Sequence, residues 1–576
     1  MAATPDVGSG VAFSGSEDDL QFLRPYRHIG RLNPVERLKL DRHPFAVAEA
    51  VAARYATEGV EALMAVPGEL ERLKWVGLYP QRQGGDAFML RVKVPGGLLT
   101  SAQARAIGAV AEECAVAPTD SPAFGNCYAD LTTRQSIQLH WLHLADIPAI
   151  WRRFDAVGLT TVQACGDCAR NVTCCPVSGI DPHEVVDARG VAVAISAFFT
   201  GNRVYANLPR KFKIGVTGCV EDCARVEIDD VGLWPARAAD GSVGFNVLCG
   251  GGLSDGERMA SDIDVFVDAH EAVELTRGVA RLFGELGNRE HRGLARMRYL
   301  VQELGPEEFR AELAARVGFS LRSAGEELTR RSRGDHVGVH PQRQAGLSYV
   351  GCCVPVGRLR GRDLVDAARL AEEYGDGTVR LAPDQNFVLS GVPAGRVDDL
   401  LGEELLRHYP PDPGPFTRGV LACTGSEFCR YGVVETKERA LGWARRLDAR
   451  LAALAEQGGG EHRPLVGEVL RVHFSGCSAS CAQPQIADIG LRGSVAHGDE
   501  RLEEAADVGV GGSLGPEAGF LRWVSGALPL EQVPDAIVHL SARFVEQRRD
   551  GEPFARWARR QSVAQLREIV EEAFPE

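Results

Sequence analysis

The chain repeats itself at an offset of 250 to 260 residues, and this repeat constrains the fold more than any other feature. Residues 131–139 (LTTRQSIQL) match residues 381–389 (LAPDQNFVL). Further matches follow at offsets of 258 and 260, namely 95–99 with 355–359, 164–165 with 422–423, and 218–223 with 476–481. Self-similarity of this kind predicts two related halves. We expect each half to be an α+β unit that is followed by a cysteine-bearing segment.

Two short segments show the alternation of a half-buried strand. In residues 87–94 (AFMLRVKV) and 209–216 (PRKFKIGV), apolar and basic residues alternate. Successive side chains of a strand point to opposite faces, so the basic residues of each segment share one face. The sequence therefore predicts two strands with paired cations opposite their apolar face, Arg91 with Lys93 and Lys211 with Lys213.

Composition excludes several classes of protein. There are 64 Lys and Arg against 78 Asp and Glu, a formal net charge of −14, so nothing draws the whole chain toward nucleic acid or an anionic membrane. There is neither a run of about 18 apolar residues nor a signal peptide at the N-terminus. These features predict a cytoplasmic protein. In the cytoplasm the 15 cysteines would stay reduced, so they point to metal or redox chemistry rather than to disulfides.

Four cysteines of the second half form two pairs, Cys423-x5-Cys429 and Cys477-x3-Cys481. Four thiolates suit a 4Fe-4S cluster or a zinc ion. Spacings of five and three differ from the tight knuckles of structural zinc sites, so the pattern favours a cluster. The alternative is four buried cysteines without metal, since cysteine is often a small core residue.

The cysteines of the first half repeat this pattern incompletely. Asn171 stands where Cys429 would map. The pattern favours reduced structural thiols, but it leaves open a second metal site of Cys165, Cys168, Cys219 and Cys223. The six cysteines of this segment are Cys165, Cys168, Cys174, Cys175, Cys219 and Cys223.

A set of basic residues accompanies the cysteines. Arg170 follows Cys168, and Arg91, Lys211 and Lys213 lie on the two predicted strands. Taken alone, such residues are more often solvated surface charge than part of a site. The sequence by itself does not bring them to one pocket.

At these residues the chain resembles the siroheme-dependent nitrite/sulfite reductases, specifically the ferredoxin-dependent assimilatory enzymes, over nearly all of residues 35–560. The motifs that carry the resemblance include RVKVPGG, TTRQSIQLHW, ACGDCARN, NLPRKFK, CTGSEFC and GCSASCAQPQIADIG. The resemblance implies an α+β fold with a pseudo-twofold repeat, made of paired ferredoxin-like half-units and two larger α/β cofactor-binding domains. The implied domains are an N-terminal extension (1–69), half-unit 1 (70–150), a siroheme and substrate domain (151–330), half-unit 2 (335–410) and a cluster and siroheme domain (411–576).

The resemblance also assigns roles to residues. It implies a 4Fe-4S cluster and siroheme as cofactors, with Cys481 ligating both the cluster and the siroheme iron. The implied cluster ligands are Cys423, Cys429, Cys477 and Cys481, the substrate-anion residues are Arg91, Arg170, Lys211 and Lys213, and the siroheme contacts are Arg134, Gln138, His140, Arg210 and Gln385. Some relatives of the sulfite-reducing branch join a tyrosine and a cysteine covalently, which marks Tyr79 and Cys165 as a possible pair.

The implied reaction is the six-electron reduction of a small anion by ferredoxin. No G-x-G-x-x-G motif opens a helix after a strand, so a separate carrier is expected to supply the electrons. Nitrite is slightly preferred as the substrate, and sulfite is the alternative, because Lys213 occupies a position where sulfite reductases have lysine and nitrite reductases have asparagine. Two remoter alternatives are a precorrin-3B synthase, which shares the cluster loops, and an iron–sulfur electron carrier without a substrate.

Overall fold

The computed structural model describes residues 29–329, 334–457, 469–497 and 502–574. Residues 1–28, which form the first part of the expected N-terminal extension, lie outside the described residues. In the described part of the chain, no helix is both long enough and apolar enough to cross a bilayer.

The strands are numbered in chain order. They are β1 (Leu78–Pro80), β2 (Phe88–Val92), β3 (Leu98–Thr100), β4 (Tyr128–Leu131), β5 (Ile137–Leu142), β6 (Thr173–Cys174), β7 (Ile214–Val216), β8 (Val231–Arg237), β9 (Val243–Cys249), β10 (Ser261–Val267), β11 (Glu326–Glu327), β12 (Gly338–Pro341), β13 (Leu347–Cys352), β14 (Arg358–Arg360), β15 (Thr378–Leu381), β16 (Phe387–Pro393), β17 (Val420–Ala422), β18 (Val472–Ser475), β19 (Ile489–His497), β20 (Leu502–Val510) and β21 (Arg522–Pro529).

The α-helices are numbered in the same way. They are α1 (Pro34–Asp41), α2 (Ala46–Ala50), α3 (Ala56–Met64), α4 (Glu69–Arg72), α5 (Ser101–Cys114), α6 (Ile147–Asp155), α7 (Ala188–Phe199), α8 (Ala272–Leu286), α9 (Met297–Ala314), α10 (Gly361–Tyr374), α11 (Val397–Leu401), α12 (Glu404–His408), α13 (Pro415–Gly419), α14 (Gly425–Phe428), α15 (Lys437–Gln457), α16 (Val533–Gln547), α17 (Phe554–Arg560) and α18 (Val563–Glu571).

Two five-stranded sheets form the half-units, and each takes one strand from the other half. The first sheet has the order β1-β2-β5-β4-β14, and the second has the order β12-β13-β16-β15-β3. In the first, Leu359 of β14 pairs with Ala129 of β4; in the second, Leu99 of β3 pairs with Val379 of β15. One hydrophobic core runs through both sheets. The two half-units are therefore a single folded body.

The two remaining sheets also repeat one another. Their orders are β10-β9-β8-β7-β6, with β11 added beside β8, and β21-β20-β19-β18-β17. In each sheet the three strands that come first in the chain are parallel, and the later strands pair antiparallel. Each sheet has its own hydrophobic core. This repeated architecture confirms the expected α+β fold with a pseudo-twofold repeat.

The two halves approach closely along the helices that follow the exchanged strands. α5 begins after Thr100, whose hydroxyl accepts from the N–H of Gln103 in a reciprocal capping box. A side chain at Gly108 of α5 would meet the carbonyl oxygen of Gly361, the first residue of α10, at 2.5 Å. Glycine at this position therefore allows the two helices to pack together.

Two equivalent glutamines connect the halves. Nε2 of Gln135 donates to the carbonyl oxygen of Leu381 at 2.6 Å, and Nε2 of Gln385 donates to that of Leu131 at 2.9 Å. The offset between the glutamines is that of the repeat, and both have a positive φ, 52° and 61°. Each glutamine side chain is buried, so its amide must form hydrogen bonds with protein groups, and it finds them on the backbone of the other half.

The segment 209–216 is only partly a strand. β7 covers its last three residues, and Phe212 adds one isolated parallel bridge to Ala169. The backbone N–H of Lys213 donates to the carboxylate of Asp230 at 2.9 Å instead of to a neighbouring strand, which shortens the ladder. The expected alternation holds nevertheless: Phe212 and Ile214 are fully buried in the core.

Candidate active site

A large cavity lies between the first half-unit sheet and the sheet that contains β17 and β18. It holds about 2090 Å³ of empty space, part of it open to solvent. The enclosed part of this space, about 480 Å³, lies within the range of ligand and cofactor sites. Most of the residues that the sequence marked as functional line it, namely Tyr79, Arg91, Arg134, Gln138, His140, Arg170, Lys211, Lys213, Gln385, Cys423, Cys429, Cys477 and Cys481.

The four cysteines of the second half meet because of the sheet topology. Cys423 follows β17 and Cys477 follows β18, and these two neighbouring strands are parallel. The carboxyl ends of parallel neighbours lie at the same edge of a sheet, where ligand sites commonly form. Cys429 follows the short helix α14, and Cys481 lies in the next turn after Cys477. All four thiols therefore line one wall of the cavity.

The surroundings of these thiols suit a cluster. Backbone N–H groups of Gly425 and Gly476 donate to Sγ of Cys423 at 3.3 and 3.2 Å, and such bonds tune iron–sulfur centres. Burial raises the pKa of Cys423 to about 12. Among the described residues, no three of these sulfur atoms lie within 4.8 Å of one another. The four thiols are therefore spaced more widely than the ligands of a single metal ion. Cys481 is exposed toward the cavity.

Four cations face this wall without a carboxylate partner in the described part of the chain. Arg91 donates to the amide oxygen of Gln138 at 3.0 Å, and Arg170 donates to the carbonyl oxygen of Gly166 at 3.0 and 2.9 Å. For the ammonium groups of Lys211 and Lys213, the described residues provide neither a hydrogen bond nor an ion pair. Unpaired cations that are partly buried are costly, so this arrangement is typical of an anion site.

Burial and neighbouring positive charges lower the pKa of three of these cations. Burial, followed by the neighbouring Arg134, lowers the pKa of Lys213 to about 8. Burial and then Arg170 lower the pKa of Arg91 to about 10. Burial, with Arg296 as the next cause, holds the pKa of Lys211 well below its ordinary value. An anion in the cavity would restore the charged forms, because an opposite charge favours them.

The residues expected to contact siroheme have different surroundings. Nη1 of Arg134 donates to both carboxylate oxygens of Asp229, at 2.7 and 2.9 Å. Gln138 accepts from Arg91 and donates to Oγ1 of Thr424 at 3.2 Å, so it connects the substrate cations to the cluster loop. The two polar atoms of the Gln385 amide bond to backbone groups of Leu131 and Ala422.

His140 and Arg210 differ from these three. His140 is 1% exposed, and its ring stacks on Phe428 with 3.9 Å between centroids. Its Nδ1 lies 3.1 Å from Oε1 of Gln81, and its Nε2 lies 3.3 Å from a carboxylate oxygen of Asp130. Arg210 is not part of the lining of this cavity; its Nη1 lies 4.0 Å from Asp167. The structure thus gathers four of the five expected siroheme contacts at the cavity.

Tyr79 lies beside the loop that carries Cys165. Nη1 of Arg91 is 3.5 Å from both the Tyr79 hydroxyl and the carbonyl oxygen of Ala164. The Arg91 guanidinium also lies 5.3 Å from the centre of the Tyr79 ring. Cys165 itself is a buried free thiol. The covalent link between Tyr79 and Cys165 stays a prediction.

Several residues at the cavity were missed by the sequence reasoning. Arg296 pairs with both oxygens of Asp230 at 3.0 Å, and Lys437 lies 3.9 Å from Asp130. Neither belongs to a motif that sequence alone would single out. Asn171 could have been found, because it replaces a cysteine in the repeat. Its Nδ2 donates to the carbonyl oxygens of residues 94 and 134 at 2.7 and 2.9 Å.

Comparison with protein-family models gives a match over most of the chain. The model of the nitrite and sulphite reductase 4Fe-4S domain matches residues 165–321 and 414–576. The model of the nitrite/sulfite reductase ferredoxin-like half domain matches residues 79–157 and 340–405. The chain belongs to the nitrite and sulphite reductase family. The two copies of each domain coincide with the repeat, and the four cavity cysteines lie in the second copy of the 4Fe-4S domain.

Relatives within the nitrite and sulphite reductase family match along nearly the full chain. The assimilatory ferredoxin-dependent nitrite reductase of Haloferax mediterranei is 42% identical, covering 94% of each chain. The ferredoxin–nitrite reductase of Synechococcus elongatus is 38% identical, covering 88% of this chain and 96% of its own. Among solved structures, the Mycobacterium tuberculosis NirA protein is 32% identical with a TM-score of 0.85, covering 93% of this chain and 98% of that one.

Proposed function

We propose that the protein is a ferredoxin-dependent nitrite reductase that converts nitrite to ammonia and also reduces sulfite to sulfide. The observation that carries this proposal is the meeting, across one cavity, of four cysteines and four cations that have no carboxylate partner among the described residues. An electron carrier needs the cysteines but has no use for the cations. A small anion that must be held while it is reduced requires both.

The residues of the cavity fit the two cofactors of the family. We propose that Cys423, Cys429, Cys477 and Cys481 ligate a 4Fe-4S cluster, and that Cys481, which is exposed to the cavity, also ligates the siroheme iron. The buried Nε atoms of Arg91 and Arg134 have no hydrogen-bond partner within the described ranges, which is expected where a polar group of a bound cofactor belongs. When bound, siroheme supplies an iron that binds the anion, and the cluster supplies electrons singly.

The chain's own contribution is to hold negative charge and to deliver protons. Arg91, Arg170, Lys211 and Lys213 would hold the oxygens of the anion by charge-assisted hydrogen bonds. Each oxygen leaves as water, so protons must arrive at the same place. Lys213, with its pKa of about 8, is suited to donate a proton near neutral pH. We propose that Arg134, Gln138 and His140 position these cations and the cofactor, that Gln385 and Arg210 support the wall of the site, and that Tyr79 and Cys165 border it.

Sulfite reduction is favoured by a specific observation, the presence of Lys213 in the cavity. Sulfite approaches two negative charges near neutral pH, whereas nitrite carries one, so a fourth cation helps sulfite more. The relatives at 42% and 38% identity are named nitrite reductases, which supports nitrite as the physiological substrate. Their names also support ferredoxin as the electron donor. We further propose a cytoplasmic location, in which the 15 cysteines, all free of disulfides in the structure, remain reduced.

The optical spectrum of the purified holoenzyme tests the proposal. We expect the visible bands of a chlorin-like macrocycle, which shift when nitrite or sulfite is added. Reduced ferredoxin should then support the formation of ammonia from nitrite. A broad shoulder without macrocycle bands would indicate an iron–sulfur carrier and would refute the proposal. Macrocycle bands without turnover of either anion would contradict the assigned activity.

A further inference from the structure

Three cysteines of the first half lie together outside the active site. Cys175 follows β6, and Cys219 and Cys223 lie in the loop after β7. All three side chains are buried, at 1%, 2% and 1% exposure. Their three sulfur atoms lie within 4.8 Å of one another. The set differs from the one that the sequence left open: Cys168 instead donates to the carbonyl oxygen of Cys165 at 2.9 Å.

A histidine from the second half reaches this group. Nε2 of His336 lies 3.0 Å from Sγ of Cys223 and 3.4 Å from Sγ of Cys175. Its other ring nitrogen, Nδ1, lies 3.3 Å from the hydroxyl of Tyr349. A second partner of this kind fixes the ring and directs the free nitrogen toward a metal, as it does in most histidine metal sites.

We propose that Cys175, Cys219, Cys223 and His336 form a mononuclear metal site that binds zinc. Three thiolates and one imidazole make up one of the standard ligand sets of structural zinc. With zinc–sulfur bonds of about 2.3 Å, tetrahedral geometry separates two ligand sulfurs by roughly 3.8 Å. The observed sulfur spacing, no more than 4.8 Å, allows this geometry, and it is closer than the spacing of the cluster thiols described above.

One feature favours zinc over reduced structural thiols. His336 contacts two of the sulfurs, so its ring nitrogen can serve as the fourth ligand. The nearby carboxylate of Glu221 contacts only one sulfur, that of Cys223 at 4.0 Å, so it is the poorer fourth ligand.

The site would connect the two halves of the molecule. Cys175 and Cys223 belong to the first half, whereas His336 precedes β12 of the second half-unit, 161 residues after Cys175. Cys219 and Cys223 also occupy the positions that correspond, in the repeat, to Cys477 and Cys481. The same loop of the repeat would thus hold an iron–sulfur cluster in one half and a structural zinc ion in the other.

Metal analysis of the holoenzyme tests this proposal independently of the reductase activity. We expect about one zinc per chain in wild-type protein purified from zinc-supplemented cells. The double variant Cys219→Ser/Cys223→Ser should contain less than about a tenth of that zinc. The matched control is Cys174→Ser, because Cys174 is buried next to Cys175 in the chain, but within the described residues its sulfur belongs to no metal-ligand group and donates to the carbonyl oxygens of Gly96 and Cys175. The control should keep its zinc.

X-ray absorption at the zinc edge provides a measurement that needs no variant. We expect a shell of three sulfurs near about 2.3 Å and one nitrogen ligand in the wild-type protein. Wild-type protein without zinc would overturn the proposal, as would equal zinc in the double variant and the wild type. Additional iron in place of zinc, or a disulfide among the three cysteines, would also overturn it.

Discussion

We expect Lys213 to control the choice between the two candidate substrates, so its replacement by asparagine should change that choice. The ammonium group lies in the cavity beside Lys211, and the described residues offer it no carboxylate partner. Asparagine removes the charge but keeps a polar side chain. We expect kcat/KM to fall for both anions, and to fall more for sulfite because it carries the greater negative charge.

The structure sets the size and the pH dependence of this effect. A difference of about 1.4 kcal/mol in the contact with the two anions changes the ratio of their kcat/KM values tenfold. With a pKa of about 8, the ratio of protonated to neutral Lys213 is about 10:1 at pH 7 and about 1:10 at pH 9. Its cation is lost as the pH rises. The wild-type kcat/KM for nitrite should therefore fall about tenfold over this interval.

Steady-state kinetics with both anions, from pH 6.5 to pH 9.5, provide the assay. The Lys213→Asn variant should lack the decline centred near pH 8 and should show a sulfite-to-nitrite ratio about tenfold lower. The control variant Lys213→Arg keeps its charge throughout, so its profile should lack the decline centred near pH 8 while its preference for sulfite is retained. An unchanged ratio together with an unchanged decline in Lys213→Asn would show that Lys213 does not face the substrate.

Three further outcomes are expected. Cys481→Ser should abolish activity and disturb the spectra of both cofactors, whereas Cys168→Ser should keep its iron; equal loss of iron from both would contradict the assignment of the cluster ligands. Reduced ferredoxin should support turnover, and the rate should fall as added salt screens the complex. NADPH without a flavoprotein should not support turnover, and robust turnover with NADPH would refute this prediction. Arg358→Met should destabilise the protein by about 3–5 kcal/mol, because it leaves Asp130 buried without its bidentate partner at 2.7 and 3.0 Å. Arg54→Met breaks an exposed pair with Glu58 and should leave the stability nearly unchanged. Equal shifts of the thermal midpoint in these two variants would show that the Asp130 pair is not important for stability.

The repeat allowed much of the fold to be predicted from the sequence. Matching segments of the two halves occupy equivalent strands, and the two cysteine pairs follow β17 and β18 as the motif implied. The exchange of β3 and β14 could not be predicted, since strands of three residues carry no readable periodicity and either sheet could have accepted them. The predicted face of Lys211 and Lys213 is correct because the alternation of buried and exposed residues depends only on the local chain.

The composition of the site was harder to predict than its cysteines. Arg91 and Lys213 are 122 positions apart, so only the resemblance to a family, not the pattern of residues, brought them together. Arg134 matched a family motif, but its ion pair with Asp229 becomes visible only in the folded chain. The sequence did not mark His336 as a partner of the cysteines, because the thiols it contacts lie more than 110 residues earlier.

The exchange of strands between the half-units has a consequence for synthesis on the ribosome. β3 ends at Thr100, and its partner β15 begins at Thr378, so about 280 residues must be added before the pair can form. At translation rates of about 5–20 residues per second, this interval lasts roughly 14–56 seconds. Until Arg360 has been added, the sheet of the first half-unit also lacks β14, so the edge of β4 stays open to pairing with other chains. The nascent protein must therefore be shielded, or made at low concentration, until its second half emerges.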